Sequence, residues 1–322
     1  MPSVLYTDQD YPDVALERGL FDAAGIEFTV ANHKTEDAII AAGRDFDAFL
    51  IQYAPITERL LTALPRLGIV SRIGAGFDTI DTAACARHGV WVANSPDYGI
   101  GEVATHALAL TLALVRNVVS YHRDINAGKW NYLSSGRLRR VADMTLGIVG
   151  LGRIGKRMAH VSRNAFKRVV ACDPYLIDGD FPAYVERADL ATLFAQSDVV
   201  SLHTPLNDET RGMIDASVLG RMRAGSYLVN TARGAVVNID DLLSALDSGI
   251  LAGAGLDVLP VEPVADRRLL GHPKVILTPH AAFFSEQSEV ELRRKAAQNV
   301  ISWVKTGRPE YVVVTGTRRC AK

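Results

Sequence analysis

The chain has 322 residues, with 35 Lys and Arg against 36 Asp and Glu, and 48 % of it is apolar. That length predicts two domains with ample cores, and the balanced charge excludes a global field drawing the protein to nucleic acid or an anionic membrane. Cys85, Cys172 and Cys320 are odd in number, far apart and free of any CxxC or Cys/His spacing, which argues against disulfides and a zinc site and predicts a cytoplasmic setting. MPSVLYTDQD has no basic stretch followed by an apolar one, and no apolar run approaches the roughly 18 residues of a membrane span. A soluble, unprocessed protein is expected.

In chain order, VLYT, IEFTVA, DAFLIQY, GIVSRIG and VWVAN read as short strands separated by helix-length segments. GEVATHALALTLALVRNVVSYHR follows, long, apolar and without Pro or internal Gly, which predicts one buried helix between two domains. A second strand series then runs through TLGIVG, RVVACD, DVVSLH, SYLVNTA, GAGLDV and KVILTPH. SEQSEVELRRKAAQNVISWVKTG reads as one amphipathic helix closing at Gly307, and the tail TGTRRCAK is expected to fray. Strands alternating with helices predict parallel sheets covered by helices.

The strongest local signal is the turn that opens the second series. Gly150, Gly152 and Gly155 follow an apolar strand directly, and Ile154, Met158, Val161 and Ala165 continue at helical spacing. The first glycine permits a tight turn, the second lets backbone N–H groups approach a pyrophosphate, and the third lets helix and strand pack closely. With Arg153 and Ile154 opening it, the helix offers positive partial charge to phosphates. The next strand ends at Asp173, placed to accept from an adenosine ribose and to repel a 2′-phosphate. NAD is therefore expected over NADP, while Arg153, Lys156 and Arg157 leave room nearby for a phosphate.

In such sheets ligands bind beyond the carboxyl ends of the strands. Those ends hold His203, Thr204 and Pro205, then Asn230, Thr231, Ala232 and Arg233, then Asp257, then His280. A guanidinium, a carboxylate and an imidazole thus converge where a nicotinamide would lie. Glu262 stands between Pro260 and Pro263, a rigid setting that suits a carboxylate required to hold a partner in place.

GLGRIG, CDP, NTARG, GLDVLPVEP and TPHAAFFSEQ, in this order, resemble the D-isomer-specific 2-hydroxyacid dehydrogenase family over nearly the whole chain. RIGAGFDTID and PHAAFFSEQ are most similar to its branch of C-terminal binding proteins and their bacterial enzyme relatives. The resemblance implies an α/β fold of two doubly wound domains, with a Rossmann dinucleotide-binding domain (99–285) inserted into a flavodoxin-like substrate domain (1–98 and 286–322). It implies a homodimer joined through the cofactor domains, with the long helix after residue 101 as the candidate contact. It further implies that Arg233 binds the substrate carboxylate and polarises its carbonyl, that Glu262 pairs with a catalytic His280, and that Asp257 lies near the nicotinamide. The chemistry agrees, because reducing a 2-oxo acid needs a hydride, a proton for the developing alkoxide and a fixed cation.

The expected function is NAD-dependent interconversion of a 2-oxo acid and a D-2-hydroxy acid. His203, Thr204, Pro205, Thr231 and Ala232 are assigned to the cofactor together with the glycine turn. Gln52 and Tyr53, ending DAFLIQY, and the Ala75 and Gly76 N–H groups, in a glycine-rich turn able to form an anion nest, are assigned to the substrate. Phe283 and Phe284 would add apolar surface there. No metal is expected, and His33, His88, His106, His122, His160 and His272 are read as structural. Two other readings stand beside this one: an NAD-sensing corepressor-like binding protein, and a formate- or phosphite-type dehydrogenase. The Glu262 and His280 pair fits hydroxy-acid proton transfer better than formate oxidation, which needs no acid, and the absence of a long charged interaction segment favours an enzyme over a scaffold. Thr105 stands where many family members carry a glutamate, and SRNAFKRV lacks a glycine often found before that strand. No regulatory domain is expected after the last helix.

Overall fold

A computed structural model describes residues 1–33 and 35–320. The chain divides into two compact units, Met1–Tyr98 with the segment from Ser285 onward, and Gly99–Phe284.

The first unit is built on a six-stranded sheet in the order Val312–Val314, Trp91–Ala93, Ile69–Arg72, Ala48–Ile51, Ser3–Tyr6, Glu27–Val30. Its central strands are buried on both faces, which is why they read as unbroken apolar runs. All pairs are parallel except the edge strand Val312–Val314, which runs antiparallel to Trp91–Ala93 and was not anticipated. The helix Glu286–Thr306 starts from a capping box between Ser285 and Ser288 and stops at Gly307 in the left-handed conformation. Gly68 lies against the Trp303 ring of that helix, where an added β-carbon would come within 2.4 Å. Arg293, 5 % exposed, binds the fully buried Glu17 of the helix Ala15–Ala24 through two hydrogen bonds of 2.7 Å.

The expected frayed tail is instead docked. The Arg318 carbonyl accepts from the indole N–H groups of Trp91 and Trp303, and its guanidinium reaches the Leu67 carbonyl at 2.7 Å. The last two residues of that tail lie outside the described residues.

The second unit has a seven-stranded, wholly parallel sheet in the order Val275–Leu277, Leu251–Leu256, Ser226–Asn230, Val199–Leu202, Thr145–Val149, Arg168–Cys172, Val185–Arg187. The chain moves outward from Thr145–Val149 to Val185–Arg187, then returns to the opposite flank at Val199–Leu202. The order therefore reverses between Thr145–Val149 and Val199–Leu202, and a crevice is expected at their carboxyl ends.

The single long helix expected after residue 101 is two helices, Ile100–Val115 and Val118–Asn126, bent by 59°. Asn117 between them is left-handed at φ 52°, a conformation asparagine tolerates, and its side chain donates to the Ser135 carbonyl. Ile100–Val115 buries Ala104, Ala107, Leu110 and Leu114. Gly253 and Gly255 give that face room, since β-carbons there would press against Leu110 and Leu114 at 3.0–3.3 Å.

Candidate active site

Gly150, with φ 88°, turns the chain out of Thr145–Val149 against the neighbouring strand end, where a β-carbon would lie 2.7 Å from the His203 carbonyl oxygen. A β-carbon at Gly155 would stand 2.1 Å from the Gly150 carbonyl oxygen, so close packing of helix and strand requires a glycine there too. At Gly152 nothing lies within 4 Å of that position. The helix Arg153–Ser162 begins at Gly152 with no side-chain cap, so the positive end of its dipole points toward the space over Gly152.

A groove of about 1210 Å³ runs along this edge, and Gly150, Gly152, Asp173, His203, Thr204 and Pro205 all line it. Asp173 accepts from the Leu151 N–H at 2.8 Å and the Tyr175 N–H at 3.1 Å. It thus braces the glycine turn while keeping acceptor capacity for a ribose. Burial pushes the His203 imidazole down to about 4, so the ring is neutral near pH 7 and bonds to the Ser201 hydroxyl at 2.9 Å. The hydroxyls of Thr204 and Thr231 are buried without a protein partner. Orphaned hydroxyls, an uncapped helix start and the space over Gly152 together fit a dinucleotide.

The other chemistry-bearing groups sit on neighbouring strand ends of the same unit. Asn230, fully buried, staples the loop that follows it by accepting from the Ala232 N–H and donating to the Arg233 carbonyl. Gly234 then lets this loop touch the Leu259–Pro260 backbone, since a β-carbon would fall within 2.3 Å of three of its atoms. That contact brings the Arg233 loop to the segment carrying Glu262. The Glu262 carboxylate is fixed at both oxygens: Oε1 accepts from the Leu259 N–H at 2.8 Å, and Oε2 lies 2.7 Å from His280 Nδ1. Burial alone would raise this carboxyl. The His280 and Leu259 hydrogen bonds, with the Arg233 charge, outweigh that and hold it below its ordinary value. His280 has φ 53°, a left-handed backbone costing a non-glycine residue about 1–2 kcal/mol. Its ring remains open to solvent, 38 % exposed.

Asp257, which the resemblance places near the nicotinamide, also holds the loop that follows His280. It is 2 % exposed, and its two oxygens accept from the Ala281 and Ala282 N–H groups at 2.9 and 3.0 Å.

In the first unit, Gln52, Tyr53, Ala75 and Gly76 lie at the carboxyl ends of adjacent strands. Gln52 is buried and donates to Asp10 at 2.6 Å, while Tyr53, half exposed, bonds to the same carboxylate at 3.1 Å. Burial, and then the Asp10 charge, push the Tyr53 phenol up to about 12. Among the described residues neither the Ala75 nor the Gly76 N–H has an acceptor, and the Asn94 amide holds the turn through the Ala75 carbonyl at 2.6 Å. Sequence reasoning missed Asp8, a buried acid accepting from the backbone of Gln52, Tyr53 and Ala54. Only the two buried strand ends beside it hint at that role.

Comparison with known proteins agrees with this architecture. The family model for the D-isomer specific 2-hydroxyacid dehydrogenase NAD binding domain matches residues 108–282. A D-3-phosphoglycerate dehydrogenase of Bacillus subtilis is 34 % identical over 81 % of this chain, although the match spans only 50 % of that protein. A glycerate dehydrogenase of Methylorubrum extorquens is 33 % identical over 93 % of this chain and 98 % of its own length. The chain spans about half the length of the phosphoglycerate dehydrogenases it matches. Among solved structures, D-lactate dehydrogenase from Aquifex aeolicus complexed with NAD and lactic acid superposes with a TM-score of 0.89 at 27 % identity, covering 98 % of this chain and all of the other. The second unit is an NAD-binding Rossmann domain, and the chain belongs to the D-isomer specific 2-hydroxyacid dehydrogenase family.

Proposed function

We propose that the protein is an NAD-dependent oxidoreductase that interconverts a 2-oxo acid and a D-2-hydroxy acid. The observation that carries this reading is the Glu262–His280 pair beside Arg233, at the carboxyl edge of a sheet whose groove fits a dinucleotide. Bound NADH supplies the hydride. His280 Nδ1 is engaged by Glu262, which leaves Nε2 as the atom that delivers a proton to the developing alkoxide. Glu262 fixes the tautomer and favours the imidazolium needed for donation. Arg233 binds the substrate carboxylate and draws charge onto the carbonyl oxygen. In the oxidising direction the neutral imidazole takes the proton back. Gln52 and Tyr53, with the free Ala75 and Gly76 N–H groups, are the proposed further contacts to substrate.

The adenosine end of the groove supports NAD over NADP. Asp173, Asp178, Glu186, Asp189 and Glu209 line it, and its two guanidiniums are engaged, Arg187 with Asp178 and Arg168 with Glu186. A 2′-phosphate would meet carboxylates there.

A homodimer is proposed on the exposed apolar residues Val118, Ile125, Trp130, Tyr132 and Leu133, which follow the bend at Asn117. The proposed contact lies beyond Ile100–Val115, which buries Ala104, Ala107, Leu110 and Leu114. Among the described residues no single helix is long and apolar enough to cross a membrane, and we assign the protein to the cytoplasm.

The test is NADH oxidation with glyoxylate, hydroxypyruvate, pyruvate and bulkier aliphatic and aromatic 2-oxo acids, repeated with NADPH and with His280→Ala and Arg233→Ala. Turnover that falls by orders of magnitude in both variants, with NADH binding kept, is the expected result. A nucleotide-sensing scaffold would bind NADH and turn over none of these acids, and formate oxidation would survive loss of the proton donor.

A further inference from the structure

His106 was read as structural from sequence, yet it reaches the loop that carries His280. It sits on Ile100–Val115, and its Nε2 lies 3.0 Å from the Thr278 hydroxyl oxygen and 3.6 Å from Asp257 Oδ1. The Thr278 hydroxyl is 2.5 Å from Asp257 Oδ1. An ionised carboxylate can only accept, so the hydroxyl donates to Asp257 and turns its lone pairs to His106. His106 Nε2 must then carry a hydrogen, which fixes its tautomer.

Asp257 is the hub of this chain. Its carboxylate takes the Ala281 and Ala282 N–H groups, and its carbonyl takes the His280 N–H at 2.8 Å. One residue therefore grips the backbone at His280 and just beyond it, where the chain is forced into the left-handed conformation. Nothing in that loop itself compensates for an acid buried at 2 % exposure except N–H and O–H dipoles. His106 brings its imidazole N–H within 4 Å of that carboxylate from a separate helix.

We propose that His106 is a positioning residue for the reaction above: through the Thr278 hydroxyl it holds Asp257 in place, and so sets the His280 loop in line with Glu262. This rests on the reading of His280 as proton donor. It does not make His106 a group that touches substrate.

Rescue separates positioning from packing. His106→Leu removes the donor, while His106→Gln returns an amide N–H at nearly the same reach. Thr278→Val removes the relay at constant shape. We expect His106→Leu and Thr278→Val each to lower kcat at least tenfold with NADH affinity unchanged within twofold, the double variant to add little, and His106→Gln to recover to within about threefold of the native rate. Equal loss in the Leu and Gln variants, or kcat within threefold of native in His106→Leu, would overturn the proposal.

Side-chain nitrogen NMR of the substrate-free protein reads the same claim without turnover. The His280 ring signals should move in His106→Leu and Thr278→Val and stay in His106→Gln, and His106 should show the Nε2–H tautomer. Unmoved His280 signals in His106→Leu would overturn the positioning role even in an active enzyme. An inactive native protein with these shifts intact would instead sink the hydroxy-acid reading alone.

Discussion

Gly150 and His203 meet across the reversal of strand order so closely that a β-carbon on Gly150 would sit 2.7 Å from the His203 carbonyl oxygen. The backbone at Gly150 is also left-handed. Gly150→Ala must therefore spread the two strand ends or twist the turn, at a cost of about 1–3 kcal/mol. The expected outcome is a lower melting temperature with NADH binding weakened more than tenfold, read by fluorescence titration. Native affinity in this variant would mean that the turn does not shape the cofactor site.

Glu262 faces the His280 ring with one oxygen while the other is held by its own loop. Its depressed carboxyl means that the charge is present across the neutral range. Glu262→Gln keeps the hydrogen-bonding shape and removes that charge, so the imidazolium that donates the proton loses its counter-ion. The rate of reduction should fall off earlier on the alkaline side. Rates of 2-oxo acid reduction between pH 5 and 9 decide the point, and an unshifted alkaline limb would remove Glu262 from the proton-donating unit.

Arg233 leaves its loop between the Asn230 staple and the tight Gly234 contact, so the guanidinium is delivered by a rigid backbone. Arg233→Lys retains the charge and loses the planar fork that matches a carboxylate. We expect KM for the oxo acid to rise at least tenfold and kcat to fall as well, with NADH affinity held. A rise in KM for NADH alone would place this cation on the cofactor instead.

At the adenosine end, Asp173→Asn leaves an acceptor for the Leu151 N–H and removes one charge. The ratio of kcat/KM for NADPH over NADH should rise about tenfold, equivalent to about 1.4 kcal/mol. The remaining carboxylates of the groove, Asp178, Glu186, Asp189 and Glu209, should still keep NADH preferred. No change in the ratio would show that Asp173 serves only to brace the turn.

The strands that were legible from sequence were those buried on both faces, because an unbroken apolar run such as AFLI or TLGIV has few other uses. Ordered motifs single out Arg233, Glu262 and His280 as the proposed site residues, and Gly234 gives the physical reason that two distant segments can meet. The break at Asn117 was hidden because apolar residues continue through it, so hydrophobic pattern alone sees one helix. Val312–Val314 and Arg318 were lost for the opposite reason: their partners, Trp91 and Leu67, lie more than two hundred residues earlier. His106 belongs to the same class, since Thr278 stands 172 positions away. Local pattern carries element type, whereas polar contacts of high sequence separation depend on the assembled sheet.

His203 ties the cofactor groove to acid stability. Its ring is neutral when folded, with burial pushing it down to about 4, against an ordinary value near 6.5. Between those two values the unfolded chain binds a proton that the folded ring refuses, so stability falls as pH drops through this window and levels off below about 4. The loss is at most about 3 kcal/mol for this one group. His203→Gln keeps a partner for Ser201 Oγ and cannot be protonated, so its stability should decline less than that of the native protein from pH 6.5 to 4.5. Denaturant unfolding of both proteins across that range measures the difference, and parallel curves would mean that the ring accepts its proton without leaving the groove.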